Sequence, residues 1–343
     1  MKKRNIIGLV ISALLLYLAF RKVDTGLLMQ TLARAEYLWL VPAFFLMLIS
    51  IAFRALRWKY LLRPITNAHF VHLFSASAIG LMANNLLPAR LGEIARAWVI
   101  GEKEGISKTS SFATLVVEKV FDGFAVILFL AIALIFADFE IPVPYRKITY
   151  VAVLSYFAAL GFLFLLHFNH DKAISIAMTI MRPLPSRTSS RIRKFIDSFG
   201  EGLGVLRNPF DIAVAGLLSI FVWVPSIIVM HLVIRSFGLD LPVQASIMVF
   251  NIVTFGIMIP SAPGFVGTVQ YCFVIGLGLF GVAESEALSV SIVYHAGVFI
   301  PFTAAGLFCL AREGISFSGL KAAVRKEKIA EDESRHTSTE EPQ

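Results

Sequence analysis

Charge is scarce in this sequence. Only 16% of its 343 residues are Asp, Glu, Lys or Arg, where a soluble domain carries about 25%. With 57% of the chain hydrophobic, a soluble globule is excluded, because it could not hide that much apolar surface. Cysteine is nearly absent as well: Cys272 and Cys309 are the two present, and both stand inside apolar runs. No disulfide framework or thiolate metal site can be built from them, so they read as buried thiols acting as small hydrophobes. There is no phosphate-cradling glycine loop, no HExxH and no CxxC. Soluble catalytic signatures are therefore missing, and no cofactor or metal is expected. Acidic residues are the minority charge, giving a formal net charge of +8. In a soluble protein that excess would suggest nucleic acid. In a chain this apolar it predicts loops facing anionic lipid heads and no nucleic-acid partner.

What the sequence does contain is one apolar run after another. A helix crossing a bilayer needs about 20 mostly apolar residues. Six full spans are expected, at about 5–20, 37–53, 111–137, 148–168, 211–234 and 287–310. The first follows a basic start, but Arg21 and Lys22 stand where a signal peptide would have its small-residue cleavage site, so it reads as an uncleaved span. Two further stretches are interrupted. Residues 70–100 break at Asn84-Asn85 and Pro88 and then carry Arg90, Glu93 and Arg96. Residues 243–281 break at Pro260, Pro263, Gly264 and Gly267. Irregular backbone at membrane depth survives only where protein or a water-filled cavity satisfies it. Both stretches are read as re-entrant hairpins; the plainer alternative is pairs of ordinary spans joined by loops. The expected fold class is thus an all-α polytopic integral membrane protein.

Loop charges set the expected orientation. Lys2, Lys3 and Arg4, then Arg54, Arg57, Lys59 and Arg63, then Arg182 to Lys194, and finally the tail with Arg312 to Lys328 fall on one side. Asp138, Glu140, Asp240, Glu284 and Glu286 fall on the other, with Arg21, Lys22 and Arg34 as exceptions. The expectation is a cell-membrane protein with both termini cytoplasmic. Residues 186–207 repeat Ile192, Phe195, Ile196, Phe199, Leu203 and Leu206 on one helical face between basic residues. That pattern fits either a helix lying in the membrane interface or a linker helix packed on the bundle. The tail, 313–343, is polar and charged and is expected to be largely disordered.

The interrupted stretches resemble each other. Leu87-Pro88-Ala89-Arg90-Leu91-Gly92-Glu93 aligns with Ile259-Pro260-Ser261-Ala262-Pro263-Gly264-Phe265, keeping proline and glycine in register. Downstream, Glu118-Lys119 falls opposite Tyr294-His295. Each half, about 37–137 and 211–310 within a membrane domain of 1–312, reads as span, hairpin, span, with the two halves inverted. Inverted repeats with paired helix breaks are one way secondary transporters build a substrate site. Half-helix N-termini there suit an anionic group such as phosphate.

Glu118, Lys119 and Asp122 interrupt an otherwise apolar span. A charge at the bilayer centre costs about 2.5–3.5 kcal/mol on insertion scales, so the trio needs partners. Arg90 and Arg96 are the expected ones. Two readings stand: a salt-bridge network that only locks the hairpin, or a polar cavity where the arginines meet a lipid phosphate. Glu93 is expected to pair with Arg90 or Arg96 along the hairpin. Asn84 and Asn85 are expected to satisfy broken backbone, Gln270 to hydrogen-bond without charge, and His295 to be a core residue or a proton relay.

The run Asn85 to Arg96, NLLPARLGEIAR, followed by Val117-Glu118-Lys119-Val120-Phe121-Asp122, resembles the lysylphosphatidylglycerol synthase transmembrane, or flippase-like, family. The run Pro260 to Gln270, PSAPGFVGTVQ, is also similar to that family, and the likeness covers about residues 5–312. The resemblance implies a lipid-translocating membrane domain. Bifunctional members carry a cytosolic aminoacyl transferase for which this chain has no room, so synthesis of lysylphosphatidylglycerol is not carried over. Phe265 and Gln270 stand where the family often has glycine and glutamate, so a charged role is not carried over to position 270. The leading functional expectation is a non-enzymatic translocator of an amphipathic lipid with an anionic or modified head. The alternatives are a non-transporting partner of a lipid or envelope synthesis enzyme, and an intramembrane enzyme using Glu118 or Asp122 as general base.

Overall fold

The computed structural model describes residues 3–21, 23–88, 91–136, 208–259 and 261–337, with Leu154, Lys172 and Ser175 as isolated positions. The expected span at 148–168, the amphipathic stretch at 186–207, Arg90 and Pro260 lie outside these residues. Among the described residues every regular element is helical.

The chain opens with α1 (Lys3–Phe20). A short α2 (Thr25–Arg34) follows, started by the Asp24 carboxylate, which accepts from the amides of Gly26 and Leu27. With ten residues, Thr31 and Arg34 among them, it is too short and too polar to span a membrane. It buries Leu28 beside Ala19 and Leu288. A 3-10 turn at Tyr37–Trp39 leads into α3 (Leu40–Leu62). This helix corrects the expected end at 53. Nothing breaks it before Pro64, and Met47, Ile51, Arg54, Trp58 and Leu61 continue one buried face.

α4 (Phe70–Leu86) and α5 (Gly92–Glu104) form an antiparallel hairpin. Asn84 and Asn85 stay helical, so of the expected break residues it is Pro88 that lies past the end of α4 at Leu86. Gly80 and Gly92 let the two backbones touch: a Cβ on Gly80 would stand 2.9 Å from the carbonyl oxygen of Gly92. α6 (Lys108–Ile135) is capped by Ser107 and closes the first half.

The second half runs α7 (Pro209–Ser236), α8 (Val243–Gly256), a 3-10 turn at Pro263–Phe265, α9 (Thr268–Gly278) and α10 (Glu284–Arg312). α8 and α9 again make an antiparallel hairpin, with Gly276 against Val249 and Ile252. The break between them is held by α1: the amide of Ala262 donates to Ser12 Oγ at 2.7 Å. Gly267 has φ +88°, and a Cβ there would collide with the Ser12 carbonyl, so both conformation and space require glycine.

The packing pairs recur between the halves. α3 packs on α4 and α7 on α8; α5 packs on α6 and α9 on α10. Across the halves, α4 meets α10 as α8 meets α6, α3 meets α10 as α7 meets α6, and α3 meets α7. Among the described residues, three helical stretches are long and apolar enough to cross a membrane, Tyr37–Leu62, Phe210–Ser236 and Glu284–Arg312. α6 has 28 residues but carries the charged trio.

The tail carries a helix among its described residues. α11 (Phe317–Thr337) is helical, buries Leu320 and Val324, and packs on α5. Two heptad-like apolar positions four residues apart suffice to seat one face of an otherwise charged helix. Lys108 Nζ ties it down through Glu327 at 2.9 Å, and hydrogen bonds to Glu102 and Glu327 raise the Lys108 pKa. Lys103 pairs with Glu313 at 2.6 Å beside it. Burial pushes the Glu313 carboxyl up, but Lys103 and Ser75 outweigh it and hold the group below the usual carboxylate range.

The α4–α10 contact depends on Gly306, where a Cβ would overlap Met82 and stand 2.6 Å from the Ala78 carbonyl oxygen. Gly306→Ala is expected to destabilise the protein by about 1–3 kcal/mol through overpacking. Thermal unfolding in detergent reads this; an unshifted midpoint would show that the helices part without cost.

Candidate functional site

Three helices, α3, α5 and α6, bring charged side chains to one buried place, and a fourth, α7, adds Ser219 and Trp223. From α3, Arg57 is fully buried. Its Nη1 lies 2.6 Å from Asp122 Oδ1 and donates to Ser219 Oγ of α7 at 2.9 Å, while its Nη2 lies 3.0 Å from Glu118 Oε1. From α5, Arg96 forks onto Glu118, with Nη1 to Oε1 at 2.7 Å and Nη2 to Oε2 at 3.1 Å. Glu118 and Asp122 stand four residues apart on α6 and so share a face. Paired and bidentate contacts of this kind are what make a buried carboxylate tolerable.

Two tryptophans line the cluster. Trp58 lies under the Arg96 guanidinium at 4.4 Å and donates to Thr114 Oγ1 at 2.8 Å. Trp223 donates to Asp122 Oδ1 at 3.1 Å and carries the Arg54 guanidinium over its ring at 4.7 Å. Lys119 pairs with Glu93 at 3.1 Å and approaches Asp122 at 3.8 Å; its side chain is 49% exposed, so the cluster opens sideways there.

Arg54 differs from its neighbours. It is 7% exposed, yet among the described residues it makes no hydrogen bond or ion pair, and its Nε is buried without a partner. Among the described residues Arg54, Arg57, Arg96 and Lys119 face Glu93, Glu118 and Asp122, which leaves one cation in excess. A buried surplus arginine is costly unless an anion joins it.

Among the residues singled out in the sequence, Arg96, Glu118, Asp122, Lys119 and Glu93 meet here. Glu93 binds Lys119 across the helix pair, not Arg96 along its own helix. Asn85 is elsewhere, donating to the Phe299 carbonyl at 3.3 Å and Thr303 Oγ1 at 3.0 Å on α10. Asn84 accepts from the Gly92 amide at 2.8 Å and so satisfies the broken backbone. Gln270 accepts from the Gly267 amide at 2.8 Å, starting α9, and its Nε2 lies 3.1 Å from His295 Nδ1. Pro88 stands in the first break, Gly92 opens α5, and Pro263 and Gly264 form the 3-10 turn of the second.

Sequence reasoning missed Arg54 and Arg57, placing them in a loop. The signal was available: they continue the buried face of α3 at helical spacing, and no residue before Pro64 stops a helix.

The profile described as the lysylphosphatidylglycerol synthase transmembrane region matches residues 5–306. The chain belongs to that family. The match spans all four helices of the charged cluster and both breaks. Among curated relatives, a UPF0104 membrane protein of Methanothermobacter thermautotrophicus is 25% identical over 93% of this chain and 98% of the relative. A UPF0104 membrane protein of Methanocaldococcus jannaschii is 24% identical over 84% of this chain and 89% of the relative. Glycosyltransferase AglD of Haloferax volcanii is 25% identical over 84% of this chain, which covers 51% of that longer protein. No solved structure matches the chain.

Proposed function

We propose that this family member moves an amphipathic lipid with an anionic or modified head group between the leaflets of the cell membrane. In this reading α3–α6 and α7–α10 are inverted repeats, each with a re-entrant hairpin, and both termini face the cytoplasm. The recurrence of packing pairs supports the repeat, and the basic loops support the orientation. The observation that carries the function is the buried cluster of arginines and carboxylates with one surplus cation, open to the side at Lys119. Arginine suits a phosphate because its planar fork offers two parallel donors. The carboxylates hold the cluster together until the anion arrives and release it afterwards.

The test is reconstitution of purified protein into liposomes with fluorescent phospholipids of several head groups. Dithionite then bleaches only outer-leaflet lipid, so movement shows as protein-dependent loss of the protected fraction. Loss selective for an anionic or modified head group is expected; full protection with every head group would refute translocation of those lipids. A second reading has one observation in its favour, the likeness to half of a protein named as a glycosyltransferase. There the chain would be a membrane partner of a lipid or glycan synthesis enzyme. It predicts that liposomes stay protected while such an enzyme co-purifies with the chain.

A further inference from the structure

Away from the buried cluster, the antiparallel packing of α4 and α5 brings the start of one helix beside the end of the other. His69 is the N-cap residue of α4 and His72 lies three residues on, in its first turn. Glu104 is the last residue of α5, and Gly105 turns the chain away behind it. The sequence alone did not suggest a ligand set, because the carboxylate is far from the histidines along the chain.

We propose that His69, His72 and Glu104 form a binding site for a divalent cation of the zinc class. Their donor atoms lie within 4.8 Å of one another. His72 Nδ1 is 2.6 Å from Glu104 Oε1, and His69 Nδ1 is 3.8 Å from the same oxygen. Metal bonds of about 2.0–2.2 Å in a tetrahedron place donors about 3.4 Å apart. The two observed spacings straddle that value, so rotations of the two rings bring the set into register without backbone movement. Glu104 is already aimed: its Oε1 accepts the His69 amide at 2.9 Å, the kind of outer hydrogen bond that orients metal-bound carboxylates. The Glu104 side chain is 10% exposed, whereas His69 is 79% exposed. The site is therefore anchored on its inner side and open on its outer side, where a fourth position can hold water or a group from a partner. Two imidazoles and one carboxylate favour zinc, cobalt, nickel or copper over magnesium or calcium, which prefer all-oxygen sets. A bound ion would clip α4 to α5 at the open end of the hairpin, opposite the break that follows Leu87.

The experiment uses tag-free, full-length protein in detergent, stripped with a chelator and titrated with cobalt(II). Tetrahedral cobalt absorbs visibly and far more strongly than the hydrated ion, so the spectrum reports coordination directly. One equivalent per chain is expected to develop the band, with zinc displacing it. Glu104→Gln keeps the amide contact, and His72→Ala removes one ring; each is expected to weaken binding at least tenfold. Absence of the band in the wild-type protein would overturn the proposal and leave a plain His72–Glu104 hydrogen bond. So would a band unchanged in the His69→Ala, His72→Ala, Glu104→Gln triple variant. Because the wild-type spectrum decides by itself, a variant that fails to fold does not blunt the test. Lipid movement is not read at any point, so the outcome is independent of the transport reading.

Discussion

Arg57→Ala is expected to cost the protein about 3–5 kcal/mol, the range for removing one partner of a buried ion pair. Arg57 is fully buried and serves two carboxylates, at 2.6 Å on Asp122 and 3.0 Å on Glu118. Without it Asp122 keeps the Trp223 N–H and a distant Lys119, and Glu118 keeps Arg96. Asp122 would then be a buried anion left with the longer Lys119 contact at 3.8 Å in place of the Arg57 pair at 2.6 Å. The loss also cuts the bond to Ser219, through which the two halves of the protein are joined at this level. Denaturant unfolding in detergent measures the change. Adding Asp122→Asn should return much of the loss, because it removes the orphaned charge. A cost below about 1 kcal/mol, or no recovery in the double variant, would show that the network contributes little to the fold.

Arg54→Met is expected to do the opposite to stability and the larger harm to function. Arg54 sits in the same cluster, but among the described residues no carboxylate lies within ion-pair distance of it; its guanidinium stacks over the Trp223 ring at 4.7 Å. Removing it strands no anion and relieves the burial of an unpaired cation, so the fold should be unchanged or firmer. If the surplus charge receives a lipid phosphate, its loss forfeits a charge-assisted hydrogen bond of about 1.5–3 kcal/mol. Lipid movement should then fall at least about tenfold, since about 1.4 kcal/mol corresponds to one decade. The contrast between neighbours three residues apart on one helix separates holding the fold from receiving a ligand.

Much of the helical frame could be read from the sequence because apolar runs this long have few other fates. The ends of α6, α7 and α10 fall within three residues of their expected positions, where Ser107, Asn208 and the acidic Glu284 mark the starts. The errors share a physical cause. α3 was cut short because Arg54 and Arg57 look like loop charges when hydropathy alone is weighed. Their spacing on the Met47–Trp58 face says otherwise. α2 and α11 were missed because each is too polar overall to stand out; one or two buried residues, Leu28 in α2 and Leu320 with Val324 in α11, are enough to seat them. At the cluster, the pairing of Arg96 with Glu118 was legible from the need to neutralise an intramembrane carboxylate. The pairing of Glu93 with Lys119 was not, since it depends on how α5 lies along α6. The His69, His72 and Glu104 grouping depends in the same way on the α4–α5 hairpin closing at its open end.

The most direct test of the central claim compares wild type and Arg54→Met in the same liposomes, at equal amounts of folded protein, by dithionite accessibility of an anionic lipid. Rapid loss of protection is expected with wild type and a rate at least about tenfold lower with Arg54→Met, the two proteins unfolding at similar temperatures. Equal rates, with both proteins folded, would contradict that claim and leave the cluster as a device for holding the helices together.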